Sequence, residues 1–148
     1  MIIQHKFVPD LNLIGKRITM IAEGSRRAGL TNVVTSVETL ATKYAPVRTS
    51  NLANSGTSDV NNDATIGIVK FTAKYAGYVH EGTGLYGPRK TKIVPKNKKA
   101  LFWPGASHPV RSIRGMKPNP FLTKAAQESD IPQLFIEGAE RIVRRIGG

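Results

Sequence analysis

The sequence predicts an α+β fold, in which a small antiparallel β-sheet packs with N-terminal and C-terminal helices and a long, basic, extended arm leaves the body. Three observations lead to this prediction. Apolar residues recur at helical spacing near both ends of the 148-residue chain, a β-branched run lies near its middle, and glycine, proline and lysine are frequent in residues 82–120. A chain of this length typically forms one domain, so we expect residues 1–148 to be a single domain with residues 82–120 as the arm.

Two helices are predicted in the first third of the chain. The first runs over about residues 11–28, where Asp10 is placed to accept hydrogen bonds from the amides of the first turn. Gly29 is predicted to end this helix, because glycine commonly terminates helices in a left-handed conformation. The second helix runs over about residues 32–44, with Thr31 as its N-cap. Each helix has an apolar stripe at the spacing that faces a protein core.

A β-hairpin is predicted in the middle of the chain. Residues 49–60 are polar with strand-like pieces, and residues 64–72 are rich in β-branched side chains. Residues 61–63 (Asn-Asn-Asp) lie between them and form a typical turn sequence. The aromatic segment 75–81 fits either a strand or a helical turn.

The C-terminal part of the chain predicts two more helices. Residues 121–127 show a short helical pattern, and residues 131–146 show a longer one with an apolar face. Asp130, followed three residues later by Gln133, forms a capping-box pattern at the start of the longer helix. Together with the N-terminal helices, these helices are expected to pack on the small sheet.

The positive charge of the chain is concentrated in the arm. The chain carries 22 Lys and Arg against ten Asp and Glu, for a net charge of +12, and no acidic residue occurs between Glu81 and Glu128. A field of this size attracts polyanions such as nucleic acid, an anionic membrane or an acidic protein surface. The residues predicted to contact DNA or an acidic partner are Arg89, Lys90, Lys92, Lys96, Lys98, Lys99, Arg111 and Arg114. A solvated loop that improves solubility is the alternative interpretation.

Prolines and glycines occur throughout the arm, so no long helix or strand is expected in it. Residues 100–103 (Ala-Leu-Phe-Trp) are the exception and predict one short apolar strand. Phe102 and Trp103 could stack on nucleic-acid bases. We favour instead a hydrophobic plug that fills a pocket on the same subunit or on a neighbouring one. Self-repulsion is expected to keep the arm extended until a partner neutralises it.

Residue types needed for common enzymatic chemistry are missing or unsuitably spaced. The chain has no cysteine, which excludes disulfides, Cys-ligated metals and thiol catalysis. Its three histidines are far apart in sequence, and no Gly-x-Ser-x-Gly elbow occurs. Residues 82–87 match the dinucleotide fingerprint Gly-x-Gly-x-x-Gly, but Pro88 and more proline and lysine follow where a helix is required. We therefore expect no enzymatic activity, no cofactor and no bound metal.

The hydropathy pattern gives an expectation about location. The first residues lack the apolar core and cleavage site of a signal peptide, and no run approaches the about 20 apolar residues of a membrane span. We therefore expect a soluble protein that is made in a cytoplasm and has no membrane partner.

Three segments of the chain form an ordered set. Residues 44–55 read Tyr-Ala-Pro-Val-Arg-Thr-Ser-Asn-Leu-Ala-Asn-Ser, residues 75–84 read Tyr-Ala-Gly-Tyr-Val-His-Glu-Gly-Thr-Gly, and residues 117–126 read Lys-Pro-Asn-Pro-Phe-Leu-Thr-Lys-Ala-Ala. In order and spacing they resemble the tail-completion or neck (head–tail joining) protein family of long-tailed double-stranded DNA bacteriophages. Members of that family carry Ala-Pro…Thr-Gly-x-Leu, Tyr-Ala-x-x-Val-Glu-x-Gly-Thr and Pro-x-Pro-Phe-Leu segments before a terminal helix. The resemblance spans about residues 35–145; it departs at Ser50, which replaces a glycine, and at His80 and Glu81 in the second segment.

The resemblance implies a structural virion protein of the phage neck, assembled in the host cytoplasm and needing no cofactor. Such proteins form a ring, commonly a hexamer, between a head connector or stopper protein and a tail terminator or tail tube protein. Double-stranded DNA passes through the lumen of the ring. Contacts with that DNA are expected to be non-specific and salt-sensitive, because neutralising phosphates carries no base information. Many strong contacts would hinder passage, so we expect most arm lysines to face protein.

Interface residues are predicted at the base and tip of the arm. They are Tyr75, Tyr78, Val79, Gly82, Thr83, Phe102, Trp103, Pro118, Pro120 and Phe121. For Tyr75, Tyr78 and Val79, a place in the core between sheet and helices is the alternative. Pro118 and Pro120 are expected to fix the backbone conformation where the arm returns to the body. Phe121 is expected to anchor that end of the arm in the core. Two alternatives stay open. One is a small basic nucleic-acid-binding protein; the other, within the phage class, is a tail terminator or minor capsid protein.

Overall fold

The computed structural model describes residues 2–9, 23–46 and 50–147 and has the predicted α+β fold. Its strands are β1 (Ile3–Phe7), β2 (Gly56–Val60) and β3 (Gly67–Phe71). Its helices are α1 (Glu23–Tyr44), α2 (Ser50–Ala53), α3 (Ala76–Glu81), α4 (Phe121–Glu128) and α5 (Ile131–Gly147), with a 3₁₀ turn at Gly84–Tyr86. The predicted N-cap Asp10 and most of the predicted helix over residues 11–28 lie outside the described residues.

The antiparallel sheet has the strand order β1-β3-β2. Strand β3 is central, since Phe71 pairs with Ile3 on one side and with Gly56 on the other. Gly67, Val69 and Phe71 of β3 are buried, while the residues between them are half-buried, as expected for a strand with one face on the core. Because β2 and β3 are adjacent and antiparallel, the predicted β-hairpin is confirmed, but residues 50–53 of its predicted first segment form helix α2 instead.

The turn of this hairpin explains why β3 starts later than the sequence predicts. The Asn61 Oδ1 atom accepts hydrogen bonds from the backbone N–H groups of Thr65 (2.8 Å) and Ile66 (2.9 Å). These bonds keep both residues in the turn rather than in the ladder of β3. The Arg27 guanidinium donates to the Asn62 carbonyl (2.6 Å) and ties the turn to α1.

The predicted break between two N-terminal helices is wrong, because α1 is continuous through it. Gly29 and Thr31, predicted as helix stop and N-cap, both lie inside α1. Gly29 instead marks a close helix crossing, since a Cβ atom on it would lie 2.8 Å from the backbone oxygen of Phe135 in α5. A Cβ atom on Gly138 of α5 would lie 2.6 Å from the backbone oxygen of Ala28. The two glycines provide space between helices, and this packing overrides the weak helix propensity of glycine.

The core lies between α1, the inner face of the sheet, and helices α4 and α5. Its largest fully buried side chains are Phe71, Phe121, Phe135, Leu30, Leu52 and Leu122. The rings of Phe71 and Phe121 meet edge to face with their centroids 4.9 Å apart. The predicted anchoring of Phe121 in the core is therefore confirmed.

The remaining segments complete the fold. Residues 75–81, which fit a strand or a helical turn, contain helix α3, and α4 and α5 confirm the two predicted C-terminal helices. Asp130 caps α5 as predicted, because its Oδ1 atom accepts a hydrogen bond from the Gln133 N–H (3.1 Å). The Gln133 side-chain amide donates to Glu137 Oε1 (3.1 Å), so the second half of the capping box is not formed.

Candidate functional site: the projecting basic arm

The arm, residues 82–120, runs out from the body and back as two legs joined by sparse backbone hydrogen bonds. From base to tip, the pairs are Thr83 with Met116, Leu85 with Arg114, Ile93 with Ile113, and Leu101 with Val110. The predicted strand over residues 100–103 is wrong, since within it only Leu101 forms a bridge. The strand cannot extend because the chain turns directly afterwards, where the Ala106 N–H donates to the Trp103 carbonyl (3.0 Å).

The outgoing leg is much longer than the returning leg, first at residues 86–92, which lie between the Leu85–Arg114 and Ile93–Ile113 pairs, and again further out. Between the two outer bridges, residues 94–100 of the outgoing leg lie opposite only residues 111–112 of the returning leg. We call residues 94–100 the basic bulge, since they contain three lysines. Residues 102–109 close the arm, and we call them the aromatic tip after Phe102 and Trp103.

Most residues of the arm are exposed, and none of residues 88–120 is buried. All eight cations predicted to contact DNA or an acidic partner are exposed: Arg89, Lys90, Lys92, Lys96, Lys98, Lys99, Arg111 and Arg114. The ion pairs within the described part of the chain lie on α4 and α5 and involve none of these eight. The arm therefore presents a cationic surface that the described residues do not neutralise.

The aromatic tip does not fill a pocket on its own subunit. The Phe102 side chain is 68% exposed and that of Trp103 is 45% exposed. The predicted plug is therefore wrong for the same subunit, because the two legs carry the tip away from the core. A pocket on a neighbouring molecule stays a prediction. Burying an exposed Phe side chain is worth about 1.5–3 kcal/mol, so the tip offers binding energy to such a partner.

Close backbone contacts fix the direction in which the arm leaves the body. Gly84 and Gly115 have φ angles of 63° and 95°, in the left-handed region. A Cβ atom on Gly84 would collide with the backbone oxygen of Arg114, and one on Gly115 would collide with the backbone oxygen of Thr83. Both conformation and space therefore exclude a side chain at these positions. We call Gly84 and Gly115 the glycine neck of the arm.

The Gly-x-Gly-x-x-Gly pattern of residues 82–87 forms the turn at the base of the arm rather than a nucleotide site. It leads into a 3₁₀ turn and then into the outgoing leg. A dinucleotide site needs a strand that feeds the N-terminus of a helix. Gly82, with a φ of 80°, turns the chain where a Cβ atom would lie 2.9 Å from the Met116 carbonyl oxygen. These glycines thus let the chain turn sharply out of the body.

The three segments at residues 44–55, 75–84 and 117–126 are linked at the base of the arm. The Asn119 N–H donates to the Val79 carbonyl (2.9 Å), which joins the third segment to the second. The Asn119 side-chain amide donates to the Tyr44 carbonyl (3.5 Å), which joins the third segment to the first. His80 Nε2 and Thr123 Oγ1, 3.1 Å apart, add another link between the second and third segments. Segments far apart in sequence therefore build one structural unit.

The predicted interface residues divide between the interior and the surface. Buried or half-buried are Tyr75, Val79, Gly82, Thr83 and Phe121, and exposed are Tyr78, Phe102, Trp103, Pro118 and Pro120. The buried group supports the arm base from below, with Val79 and Phe121 in the hydrophobic core. The exposed group is the one that a partner can contact directly.

Two half-buried histidines lie close to the arm base. The ring of His80 meets Phe121 edge to face with centroids 5.9 Å apart, and that of His5 lies 4.6 Å from Phe7. Burial lowers the pKa of both imidazoles below the ordinary value of 6.5; for His80, the Glu81 carboxylate opposes this shift. Within the described ranges, no group of three or more His, Asp or Glu side chains is arranged to hold a metal ion.

A groove between α1 and α5 carries carboxylates that the sequence analysis does not single out. Half-buried Leu40 and Leu134 form its floor, and the exposed residues Glu128, Asp130 and Glu137 lie along it. It is open to solvent and has a volume of about 720 Å³. We call it the acidic groove. The sequence offers one clue, since these are the first acidic residues after the basic arm.

No protein-family model, curated protein or solved structure matches this chain. Among the helices that the structure describes, none combines the length and apolar character needed to cross a membrane. Function is therefore inferred from the arm, its base and the acidic groove.

Proposed function

We propose that this protein is a structural, non-enzymatic virion component of the bacteriophage neck. It joins the head connector or stopper to the tail terminator or tail tube as a ring of identical copies, six by family resemblance, around the DNA channel. The supporting observation is that the three family-like segments meet at the root of an exposed basic arm. An arm rooted on a folded body allows each subunit to reach its neighbour through a head-to-tail contact, the kind that closes into a ring.

Most arm contacts are made with protein rather than with DNA. DNA moves through the lumen at ejection, and a dense set of phosphate contacts would hold it in place. The tip also exposes Phe102 and Trp103, whose aromatic surface phosphate binding does not require. Aromatic residues are enriched in the buried centres of protein interfaces. The cations that do reach the lumen make non-specific contacts with the DNA backbone.

Deletion of the gene from the viral genome that carries it tests this proposal. We expect electron micrographs of the lysate to contain separate filled heads and separate tails, and a plasmid-borne copy of the full chain to restore joined particles. An arm-less variant, in which Asn-Gly replaces residues 88–112, should not restore them. Joined particles in the deletion lysate would rule out a role in the neck.

A small basic nucleic-acid-binding protein is the second candidate, favoured by the exposed cations of the arm. Such a protein would retard duplex DNA in a gel at moderate salt, with a binding constant that falls steeply as salt is raised. Its removal would leave heads and tails joined. Within the phage class, locating the chain in images of the intact particle distinguishes a neck position from a tail terminator or a minor capsid protein.

A further inference from the structure

We propose that the acidic groove of one copy receives the basic bulge and aromatic tip of a second copy's arm. This pairing rests on the proposed function, in which copies of the chain stand side by side in a ring.

Charge complementarity points to the groove. The arm holds nine of the chain's 22 Lys and Arg and none of its ten Asp and Glu, so the rest of the chain is nearly balanced, with thirteen cations against ten anions. Three of those ten anions, Glu128, Asp130 and Glu137, line the groove. Of the described residues that line it, Lys43 alone is a cation. Lys124 stands just outside, with its Nζ atom 3.9 Å from Glu128.

The carboxylates of the groove keep free acceptor positions. Glu128 accepts one hydrogen bond from the Tyr44 hydroxyl. Asp130 and Glu137 each accept one from Gln133. An ionised carboxylate has about four acceptor positions, so each can also accept from a lysine of an incoming arm. All three are exposed, and lysines can reach them without displacing core side chains.

The arm and the groove also match in their apolar parts. The groove has the half-buried side chains of Leu40 and Leu134 at its floor, which offer apolar surface to an incoming side chain. On the arm, Phe102 and Trp103 follow the basic bulge after one residue, Leu101. An aromatic centre next to lysines would therefore meet an apolar floor next to carboxylates, the usual layout of an apolar interface core with a polar rim.

The occupant is a second copy because the arm leads away from its own groove. No residue of the arm lines the groove, and none of residues 88–120 is buried. The returning leg from Val110 to Met116 spans roughly 20 Å at about 3.3 Å per residue, enough to reach an adjacent molecule. Arm and groove are different surfaces, so the contact is head-to-tail and closes into a ring when the rotation between copies permits.

The absence of cysteine from the chain allows this pairing to be trapped as a disulfide. One copy carries Ser107→Cys in the aromatic tip, and the other carries Thr39→Cys in the groove. The two full-length proteins are mixed with oxidised glutathione, and the rate of heterodimer formation is measured on a non-reducing gel. The control partner carries Thr57→Cys on β2, an exposed position outside the groove. We expect the groove cysteine to react at least about tenfold faster than the control cysteine.

Charge exchange then tests the specificity of the trapped pair. Glu137→Lys in the groove copy should slow the crosslink by about tenfold or more, because like charges across an interface repel. Lys98→Glu together with Lys99→Glu in the arm copy should restore part of that rate. Asp59→Lys, which makes the same charge change on β2, should leave the rate unchanged.

Equal rates at Thr39→Cys and Thr57→Cys would overturn the pairing. So would a crosslink that forms only within single copies carrying both cysteines, since the arm would then fold onto its own groove. If the pairing fails while the arm-less variant still leaves heads and tails separate, the groove assignment is wrong and the neck function stands. If the arm-less variant joins heads to tails normally, the arm-based neck function itself fails.

Discussion

At the scale of single residues, Phe121 connects the end of the arm to the core. It is fully buried, and its ring packs against that of Phe71. Phe121→Ala should lower the free energy of unfolding by about 3–5 kcal/mol, because it leaves a cavity where the arm returns. Urea denaturation followed by circular dichroism measures this loss, and assembly of the proposed ring should fail with it. Phe102→Ala is the control, since Phe102 is 68% exposed and its removal should change stability by less than about 0.5 kcal/mol.

Gly138 tests the close crossing of α1 and α5. A Cβ atom there would lie 2.6 Å from the Ala28 backbone oxygen, so Gly138→Ala should cost about 1–3 kcal/mol through overpacking. A Cβ atom on Gly24, in α1, would meet no described residue of another element within 4 Å, so Gly24→Ala should be neutral or stabilising by up to about 1 kcal/mol. Thermal unfolding of the two variants makes the comparison. If both variants were more stable than the original protein, helix propensity would determine the effect of the substitutions, and α1 and α5 would not cross closely.

The half-buried histidines make stability depend on pH. Burial lowers the pKa of His5 and His80 in the folded protein, so the unfolded chain binds more protons as the pH falls below 6.5. The free energy of unfolding should therefore decrease as the pH is lowered through that window, and be fully retained above it. Urea midpoints between about pH 5.5 and 7.5 measure the slope. The double variant His5→Gln, His80→Gln should flatten it; an unchanged slope would assign the effect to other groups.

At the scale of elements, the glycine neck controls how the arm is held. Gly115 and Gly105 both have φ angles above 90°, so alanine at either costs about 1–2 kcal/mol in backbone conformation. Of the two variants, only Gly115→Ala also forces a collision, with the Thr83 backbone oxygen, whereas no described residue crowds a Cβ atom on Gly105. Hydrogen exchange should therefore show faster exchange of the Thr83 and Leu85 amides in Gly115→Ala and unchanged exchange in Gly105→Ala. Equal protection of these amides in both variants would contradict a rigid glycine neck at the base of the arm.

Helix ends and turns could be predicted from the sequence where they depend on residues close together in the chain. Asp130 caps α5 through a residue three positions away, and Asn61 closes the hairpin turn through residues four and five positions away. Contacts distant in sequence decided the rest. Gly29 stays helical because α5 crosses it, and the acidic groove combines side chains from separate helices. The basic arm was visible from composition alone, but its two-legged form depends on pairing between Leu101 and Val110 and between other residues across the legs.

At the scale of the whole molecule, the arm and the body should be separable. None of residues 88–120 is buried, so removing residues 88–112 takes no side chain from the core. The legs are already joined at the base, where the Leu85 N–H donates to the Arg114 carbonyl (2.7 Å), and an Asn-Gly pair suits a tight connection between two such legs. The arm-less variant should keep its helical circular dichroism and a urea midpoint close to that of the full chain. Loss of the folded signal would mean that the arm helps to hold the body together.

The same variant separates charge from shape in the proposed assembly. Replacing residues 88–112 removes seven cations and no anion, so the net charge falls from +12 to +5, and the protein should leave a cation exchanger at lower salt. A second variant with Lys96, Lys98 and Lys99 changed to Gln keeps the tip but lowers the charge of the bulge. If the charge of the basic bulge alone drives self-association, the lysine variant should match the arm-less one in light scattering. If the aromatic tip contributes as proposed, the lysine variant should retain weak association that Phe102→Ala with Trp103→Ala then removes, because apolar burial persists at salt concentrations that screen the lysines.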